Sequence, residues 1–424
     1  MRAEAEAIRV IPTSKRRAST TTLAETAVRS RLARIEHGAL TLVDGSRAEV
    51  YGRITDRCAL HATVRVHDPR FFSGVALRGS IGAGEAYMEG LWSTDDLTAV
   101  VRILLQNRHV LDSVETGLAR LAAPVRKALH WAARNTRSGS RRNIAAHYDL
   151  GNDFFALFLD PTLMYSSAVF ERADMSLEAA SIAKLDRICR KLALRPADHV
   201  LEIGTGWGGF ALHAARHYGC RVTTTTISRE QHALAKERIA AAGLSDRVTL
   251  LLEDYRDLSG RYDKLVSIEM IEAVGHQFFD TYFRKCSELL APEGMMVLQA
   301  ITIADSQYRA ALKSVDFIQQ YIFPGSCIPS VGAMTGSIAH ATDMRLFHLE
   351  DIGPHYATTL KLWRENLFSN VERVRALGLP ESFIRMWEFY LAYCEGGFAE
   401  RALGDVQMVL VKPLNRREAL TGGL

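Results

Sequence analysis

The sequence predicts an α/β chain: a Rossmann-like, mostly parallel sheet covered by helices on both faces, with a smaller α+β domain before it. Three observations predict this. From about residue 195 short apolar runs alternate with helix-period segments, the rhythm of βαβ units. The first of those runs ends in Gly204-x-Gly206. A chain of 424 residues allows two or three domains at roughly 150 residues each.

In chain order, residues 1–30 carry little apolar periodicity and read as a flexible arm. Residues 31–134 read as the N-terminal domain. Its strands are Leu40–Val43, Ala48–Tyr51 and Ala62–Val66, with Asp44-Gly45 as a turn signal. After Gly82–Tyr87, the segments Leu97–Leu105 and Val110–Trp131 show helical spacing, including Leu118, Leu121, Val125 and Leu129. The polar, Ser/Gly-bearing, basic stretch Asn135–Arg142 marks a linker over 135–146. From 147 to 424 runs the main domain. Its strand candidates are His199–Ile203, Val222–Ile227, Val248–Leu252, Lys264–Ile268 and Met295–Ala300, with helices from Gly208 and through Arg238.

Composition narrows the function. With 48% apolar residues the chain can build a sizeable core, yet no stretch reaches the ~18 consecutive apolar residues of a membrane span. Met1–Arg17 is charged and lacks a signal peptide's apolar run, so a cytoplasmic location is expected. Six cysteines, at 58, 189, 220, 286, 327 and 394, form no Cys-x-x-Cys pair and read as reduced, buried thiols. Net charge is +4, but Val101–His147 holds nine Lys/Arg against Asp112 and Glu115, a local +7. That segment has few aromatics and no nucleic-acid motif, which argues against a nucleic-acid partner. It suits an anionic bilayer surface; a solvated helix face is the plainer alternative. His213 and His217 have a zinc-compatible i, i+4 spacing, but no glutamate follows His213. They read as surface histidines, and no metal is expected.

The strongest motif is Val200-Leu201-Glu202-Ile203-Gly204-Thr205-Gly206-Trp207-Gly208-Gly209. Its glycines permit a tight turn and close approach of a ligand to backbone. Gly209 also satisfies Gly-x-Gly-x-x-Gly, so the motif alone admits a nicotinamide dinucleotide. Three features favour S-adenosylmethionine: the acid Glu202 before the glycines, Asp254 after the third strand as an acceptor for the adenine amino group, and the late start of the sheet. The second strand ends in Thr223–Ile227 and Ser228 rather than an acid, leaving hydroxyls and Gln231 to meet the ribose.

Four further segments carry a resemblance. They are His147–Phe155 with Leu159-Asp160-Pro161 and Met164–Ala168; Ser267–His276; Phe317–Gly325; and His355–Trp363. In this order, over about 143–400, the chain resembles the cyclopropane-fatty-acyl-phospholipid synthases, a family that includes mycolic-acid and branched-chain fatty acyl methyltransferases. The resemblance implies a class I methyltransferase domain with a mostly parallel seven-stranded sheet and, less distinctly, a lipid-binding N-terminal domain. It implies S-adenosylmethionine contacts from Tyr165, Ser166, Gly204, Gly206, Thr226, Gln231, Asp254 and Tyr255, to which the motif reading adds Glu202 and Thr205. It also implies a bicarbonate ion near the methyl group, held by Glu272, Tyr356 and the backbone at Ile301. Ser167 and Gln299 stand where the family has a cysteine and a histidine; both still donate hydrogen bonds, and neither titrates near neutral pH.

The implied reaction moves a one-carbon unit from S-adenosylmethionine to the double bond of an unsaturated fatty acyl chain in membrane phospholipid, giving a cyclopropane ring. A methyl- or methylene-branched product from the same substrate, a soluble small-molecule substrate, and a non-catalytic lipid-binding role are the alternatives. The implied enzyme is peripherally membrane-associated and, by resemblance, a homodimer. A dry site with aromatic faces suits the carbocation that alkene attack leaves. Tyr165, Phe170, Tyr321, Phe323 and Tyr356 are its candidates. Glu272 is the expected holder of the base, so Glu272→Gln is expected to cut turnover by orders of magnitude while cofactor binding survives. Glu269 reads as a local cap or pairing partner.

Overall fold

A computed structural model describes residues 14–111, 151–418 and 420. The chain forms two compact units, Met1–Ala122 and Ala123–Leu424. The expected linker over 135–146 and most of the +7 segment lie outside the described residues.

In the first unit, strands β1 (Gly38–Asp44), β2 (Arg47–Arg53), β3 (His61–Val66) and β4 (Trp92–Thr94) form one sheet in the order β2-β1-β3-β4. β1 pairs antiparallel with β2 and parallel with β3. Leu40, Leu42 and Val64 are buried with Phe72 of the Arg70–Met88 helix and Ile103 of the Leu97–Gln106 helix. Asp96 caps the latter helix by accepting from the Ala99 amide.

Of the flexible arm expected over 1–30, residues 1–13 lie outside the described residues, and from Ser14 the expectation is corrected by a helix over Ser14–Leu32. Its described part is held by charge rather than by an apolar stripe, which is why hydrophobic periodicity does not reveal it. Arg29 is buried and binds Glu25 (2.8 Å), Glu49 (2.9 Å) and Asp44 (3.1 Å), tying the helix to the first two strands.

The second unit holds seven strands: β5 (His199–Ile203), β6 (Arg221–Thr225), β7 (Val248–Leu251), β8 (Tyr262–Ile268), β9 (Leu290–Ile303), β10 (Arg345–Asp351) and β11 (Leu403–Val411). Their order is β10-β11-β9-β8-β5-β6-β7. β5 to β9 run parallel, and β11 is antiparallel to both neighbours. This is the mostly parallel seven-stranded sheet expected. Alternate residues of each strand feed opposite cores. Leu265, Met296 and Leu298 pack on one face, and Val266, Val297 and Val409 on the other. Each such side chain contributes roughly 1.5–3 kcal/mol of burial.

Two consequences of this sheet position the site. The loops after β5, β6 and β8 emerge at the same, carboxyl end, where open α/β sheets bind ligands. The register also sets Gln299 of β9 opposite Ile268 of β8 on one side and Gln407 of β11 on the other.

Candidate active site

The turn after β5 is built for close approach. Gly204 (φ 105°), Gly206 (φ 52°) and Gly208 (φ 87°) all take the left-handed backbone that favours glycine. The amides of Gly204 and Thr205 both donate to the Thr225 carbonyl (3.1 and 3.0 Å), pinning the turn to β6. A Cβ placed on Gly206 would meet no atom of the described residues within 4 Å, so the turn opens on free space. The helix Gly209–Tyr218 follows directly.

Glu202 plays a different part from the one expected. It is buried, accepts from Thr224 Oγ1 (2.6 Å), and burial pushes its carboxyl up to about 8. Thr224 Oγ1 in turn pairs with Thr205 Oγ1 (2.7 Å). Glu202 and Thr205 therefore brace the turn through their side chains, within the protein. Beyond β6, Thr226 donates to Gln231 Oε1 (2.8 Å), keeping a hydroxyl and an amide together where an acid is usual. Asp254, expected to accept the adenine amino group, is gripped by Arg256 at 2.8 and 2.6 Å, and that guanidinium lies 5.4 Å from the Tyr255 ring. The open cradle over Gly206, with the polar pair Thr226–Gln231 beside it in the chain order of the sheet, fits an adenosyl donor.

Beside the turn stands a cluster of carboxyl groups. Met270 packs against Gly204, its Cγ 3.4 Å from where a Cβ would be. Its neighbour Glu269 leaves β8 with φ 48°, a left-handed backbone that costs a residue with a Cβ about 1–2 kcal/mol. Glu269 Oε1 accepts from the Ser167 amide (2.9 Å) and from Gln299 Nε2 (2.7 Å). Its Oε2 accepts from the Tyr356 hydroxyl (2.7 Å). Three residues expected to hold an external anion thus converge on a carboxylate of the chain itself. The reading of Glu269 as a local cap is corrected: its partners lie 102, 30 and 87 residues away in sequence.

Glu272 sits apart from that convergence. Its Oε1 accepts from the Ile301 amide (2.6 Å), while Oε2 is buried with no partner among the described residues. Burial, reinforced by the charge of Glu269, pushes its carboxyl up to about 8, so at neutral pH it is chiefly the neutral acid. Gln299 Nε2 also donates to Asp405 Oδ2 (3.0 Å), and Gln299 Oε1 accepts from Gln407 (3.0 Å). Asp405 is pushed well above the carboxylate range by burial, with Glu269 adding to it. The counter-charge is Lys184, fully buried, which donates to Ser166 Oγ (2.7 Å). Burial lowers it to about 8 against the opposing pull of Glu269, Asp405, Asp160 and Glu202.

Bicarbonate does not fit this arrangement. The Ile301 amide is engaged by Glu272, the Tyr356 hydroxyl by Glu269, and Gln299 by Glu269 and Asp405. Ser167 Oγ donates to the Ala168 carbonyl (3.0 Å). Each expected donor already has an acceptor, and an added anion would meet Glu269 at contact range.

Aromatic rings gather about Tyr165. Its centroid lies 5.3 Å from both Phe155 and Trp363 and 6.3 Å from Phe323, and its hydroxyl pairs with that of Tyr390 (3.0 Å). Tyr356 meets Trp363 edge-on at 6.0 Å. Of the five aromatic candidates, Tyr165, Phe323 and Tyr356 join this group. Phe170 pairs instead with His355 (6.4 Å) and Tyr321 with Phe317 (5.1 Å). His213, expected at the surface, is buried against His217 (centroids 4.6 Å apart), and burial lowers it to about 4.

Sequence reasoning missed Lys184, Tyr390, Asp405 and Gln407. Three of them did leave a signal. Lys184 falls on the apolar face Leu177, Ala180, Leu185, Ile188 of its helix, and Asp405 and Gln407 interrupt an otherwise apolar strand.

The family model described as mycolic acid cyclopropane synthetase matches residues 135–408. The chain is 40% identical over 356 residues to the tuberculostearic acid methyltransferase UfaA1 of Mycobacterium tuberculosis, covering 80% of each chain. It is 39% identical over 354 residues to the cyclopropane-fatty-acyl-phospholipid synthase of Escherichia coli K12, covering 82% of this chain and 86% of that one. Among solved structures, it is similar to the mycolic acid cyclopropane synthase CmaA1 complexed with SAH and CTAB. That match has a TM-score of 0.60 and 33% identity, and covers 64% of this chain and 98% of that one.

Proposed function

The chain belongs to the mycolic acid cyclopropane synthetase family and is an S-adenosylmethionine-dependent methyltransferase, and on that premise we propose its acceptor and product. The acceptor is the double bond of an unsaturated fatty acyl chain in membrane phospholipid, and the product is the cyclopropane fatty acid. One observation carries this reading: a hydrogen-bonded carboxylate, Glu269, stands beside the glycine turn and bonds Tyr356, whose ring meets the aromatic group around Tyr165 and Trp363.

An isolated alkene is a weak nucleophile, and bound S-adenosylmethionine supplies an electrophilic methyl group to meet it. The chain's residues handle what attack leaves behind. Positive charge on the acyl chain is stabilised by the faces of Tyr165, Phe323 and Trp363, each worth ~2 kcal/mol or more when desolvated. The same rings exclude the water that would hydrate the cation. Loss of a proton from the transferred carbon closes the ring.

The branched alternative draws support from the 40% identity to a tuberculostearic acid methyltransferase. It differs only in which carbon loses the proton. Among the described residues no helix is long and apolar enough to cross a membrane, and the proposed meeting with phospholipid is one at the bilayer surface. The deciding experiment incubates the enzyme with unsaturated phospholipid vesicles and methyl-labelled S-adenosylmethionine, then analyses the fatty acids by mass spectrometry. A ring and a methylene branch have the same mass, but only the branch keeps a carbon–carbon double bond that ozone cleaves. Labelled, ozone-resistant acyl chains support the proposal. Unlabelled lipid together with methylation of a soluble acceptor overturns it.

A further inference from the structure

We propose that Glu269 is the catalytic base of this enzyme, its carboxylate standing where the resemblance implies a bound bicarbonate. The inference rests on the one-carbon-transfer reading above and deepens it by naming the group that takes the proton.

Three lines of geometry lead there. First, the Ser167 amide, Gln299 Nε2 and the Tyr356 hydroxyl all point at this one carboxylate, at 2.9, 2.7 and 2.7 Å. Three donors fix both of its oxygens in place. Second, the donors left over are already occupied. The Ile301 amide serves Glu272, and Ser167 Oγ serves a backbone carbonyl. Third, one departure from the family pattern agrees with this. A carboxylate delivered by Glu269 needs a neutral donor that stays a donor, and the Gln299 amide is such a group at every working pH, while Ser167 contributes its backbone amide. The left-handed backbone at Glu269 (φ 48°) turns this side chain to the group at the carboxyl end of the sheet.

The neighbouring carboxyls are poor substitutes. Glu272 and Asp405 are both pushed toward the neutral acid by burial, and a neutral acid accepts no further proton. Buried Lys184 supplies the counter-charge for the cluster.

The step balances without an oxidant or reductant. The π pair of the alkene forms the new carbon–carbon bond as the methyl–sulfur bond breaks, its pair leaving with sulfur. Glu269 then takes a proton from the transferred carbon. The freed C–H pair closes the three-membered ring, and Glu269 ends as the neutral acid. Removal from a chain carbon would instead form a double bond and leave a branch.

The test uses the full chain with unsaturated phospholipid vesicles. Wild-type turnover is measured in carbon-dioxide-free buffer with and without added bicarbonate, and is expected to be the same. Glu269→Gln is expected to lose about 100-fold or more in turnover, the scale of a general base, while S-adenosylmethionine binding by calorimetry is unchanged. Glu269→Gly, which empties the space, is expected to regain turnover with added bicarbonate or formate, whereas Glu269→Gln is not rescued. A purely structural role for Glu269 would give no such rescue. Loss of wild-type turnover on removing carbon dioxide, restored by bicarbonate, overturns the proposal, as does near-normal turnover in Glu269→Gln. If both variants misfold, the wild-type bicarbonate experiment still decides. Should the wild type label no acyl chain at all, the one-carbon-transfer reading falls and this inference with it; a labelled but bicarbonate-dependent reaction sinks this inference alone.

Discussion

Replacing Glu272 with glutamine should make the protein more stable above neutral pH. The Glu272 carboxyl is raised from 4.5 to about 8 by burial and by the charge of Glu269. A group whose folded value is raised favours the folded state most below its unfolded value. That contribution is lost as pH climbs toward the folded value. The full swing is roughly 5 kcal/mol between about pH 4.5 and about pH 8, at 1.36 kcal/mol per unit. Glutamine is neutral throughout and its Oε1 can keep the 2.6 Å bond from the Ile301 amide. The buried Oε2, without a partner among the described residues, becomes an equally unpartnered NH₂, which offsets part of the gain. A net rise of about 2–4 kcal/mol at pH 8 corresponds to roughly 5 °C in Tm for a unit of this size. The measurement is calorimetric melting of wild type and variant from about pH 5 to about pH 9. Asp405, Glu202 and Lys184 titrate in both proteins and largely cancel in the difference. The gap should vanish near pH 5 and widen to pH 8. A variant that melts below wild type at pH 8, or a gap independent of pH, refutes the reasoning. Turnover should fall less in Glu272→Gln than in Glu269→Gln, which moves the large loss expected from sequence onto the neighbouring carboxylate.

Two further outcomes are expected. Gly206→Ala forces a Cβ into left-handed backbone (φ 52°) at about 1–2 kcal/mol and sets a methyl in the open cradle. S-adenosylmethionine affinity by calorimetry should weaken about tenfold or more, and an unchanged affinity would place the donor elsewhere. Arg29→Met strips a buried guanidinium from Glu25, Asp44 and Glu49. It should destabilise the first unit modestly, because the three carboxylates left behind are partly exposed, read as faster proteolysis within residues 14–111, and proteolysis at the wild-type rate would show the helix to be held otherwise.

What the sequence determined by itself was whatever depends on local pattern. Alternating apolar runs specify strands because side chains on a strand point to opposite faces, so His199–Ile203 and its successors were legible as a parallel core. Gly204-x-Gly206 announced a turn because few other residues tolerate that backbone. Ordered motifs also carried the family and the donor. The helix Ser14–Leu32 was not legible, because ion pairs with residues on other elements hold it instead of an apolar stripe.

Only the tertiary structure decided which carboxyl does what. Glu269 and Glu272 are three residues apart on an irregular segment where no period tells one direction from another. Their difference comes from partners brought by distant elements. Ser167, Gln299 and Tyr356 gather on Glu269, while Glu272 accepts from one amide and keeps its Oε2 buried without a partner among the described residues. Donors gather on the first carboxyl, and burial favours the neutral form of the second. Proton affinity belongs to the surroundings of a side chain, and those surroundings exist only once the strands have paired.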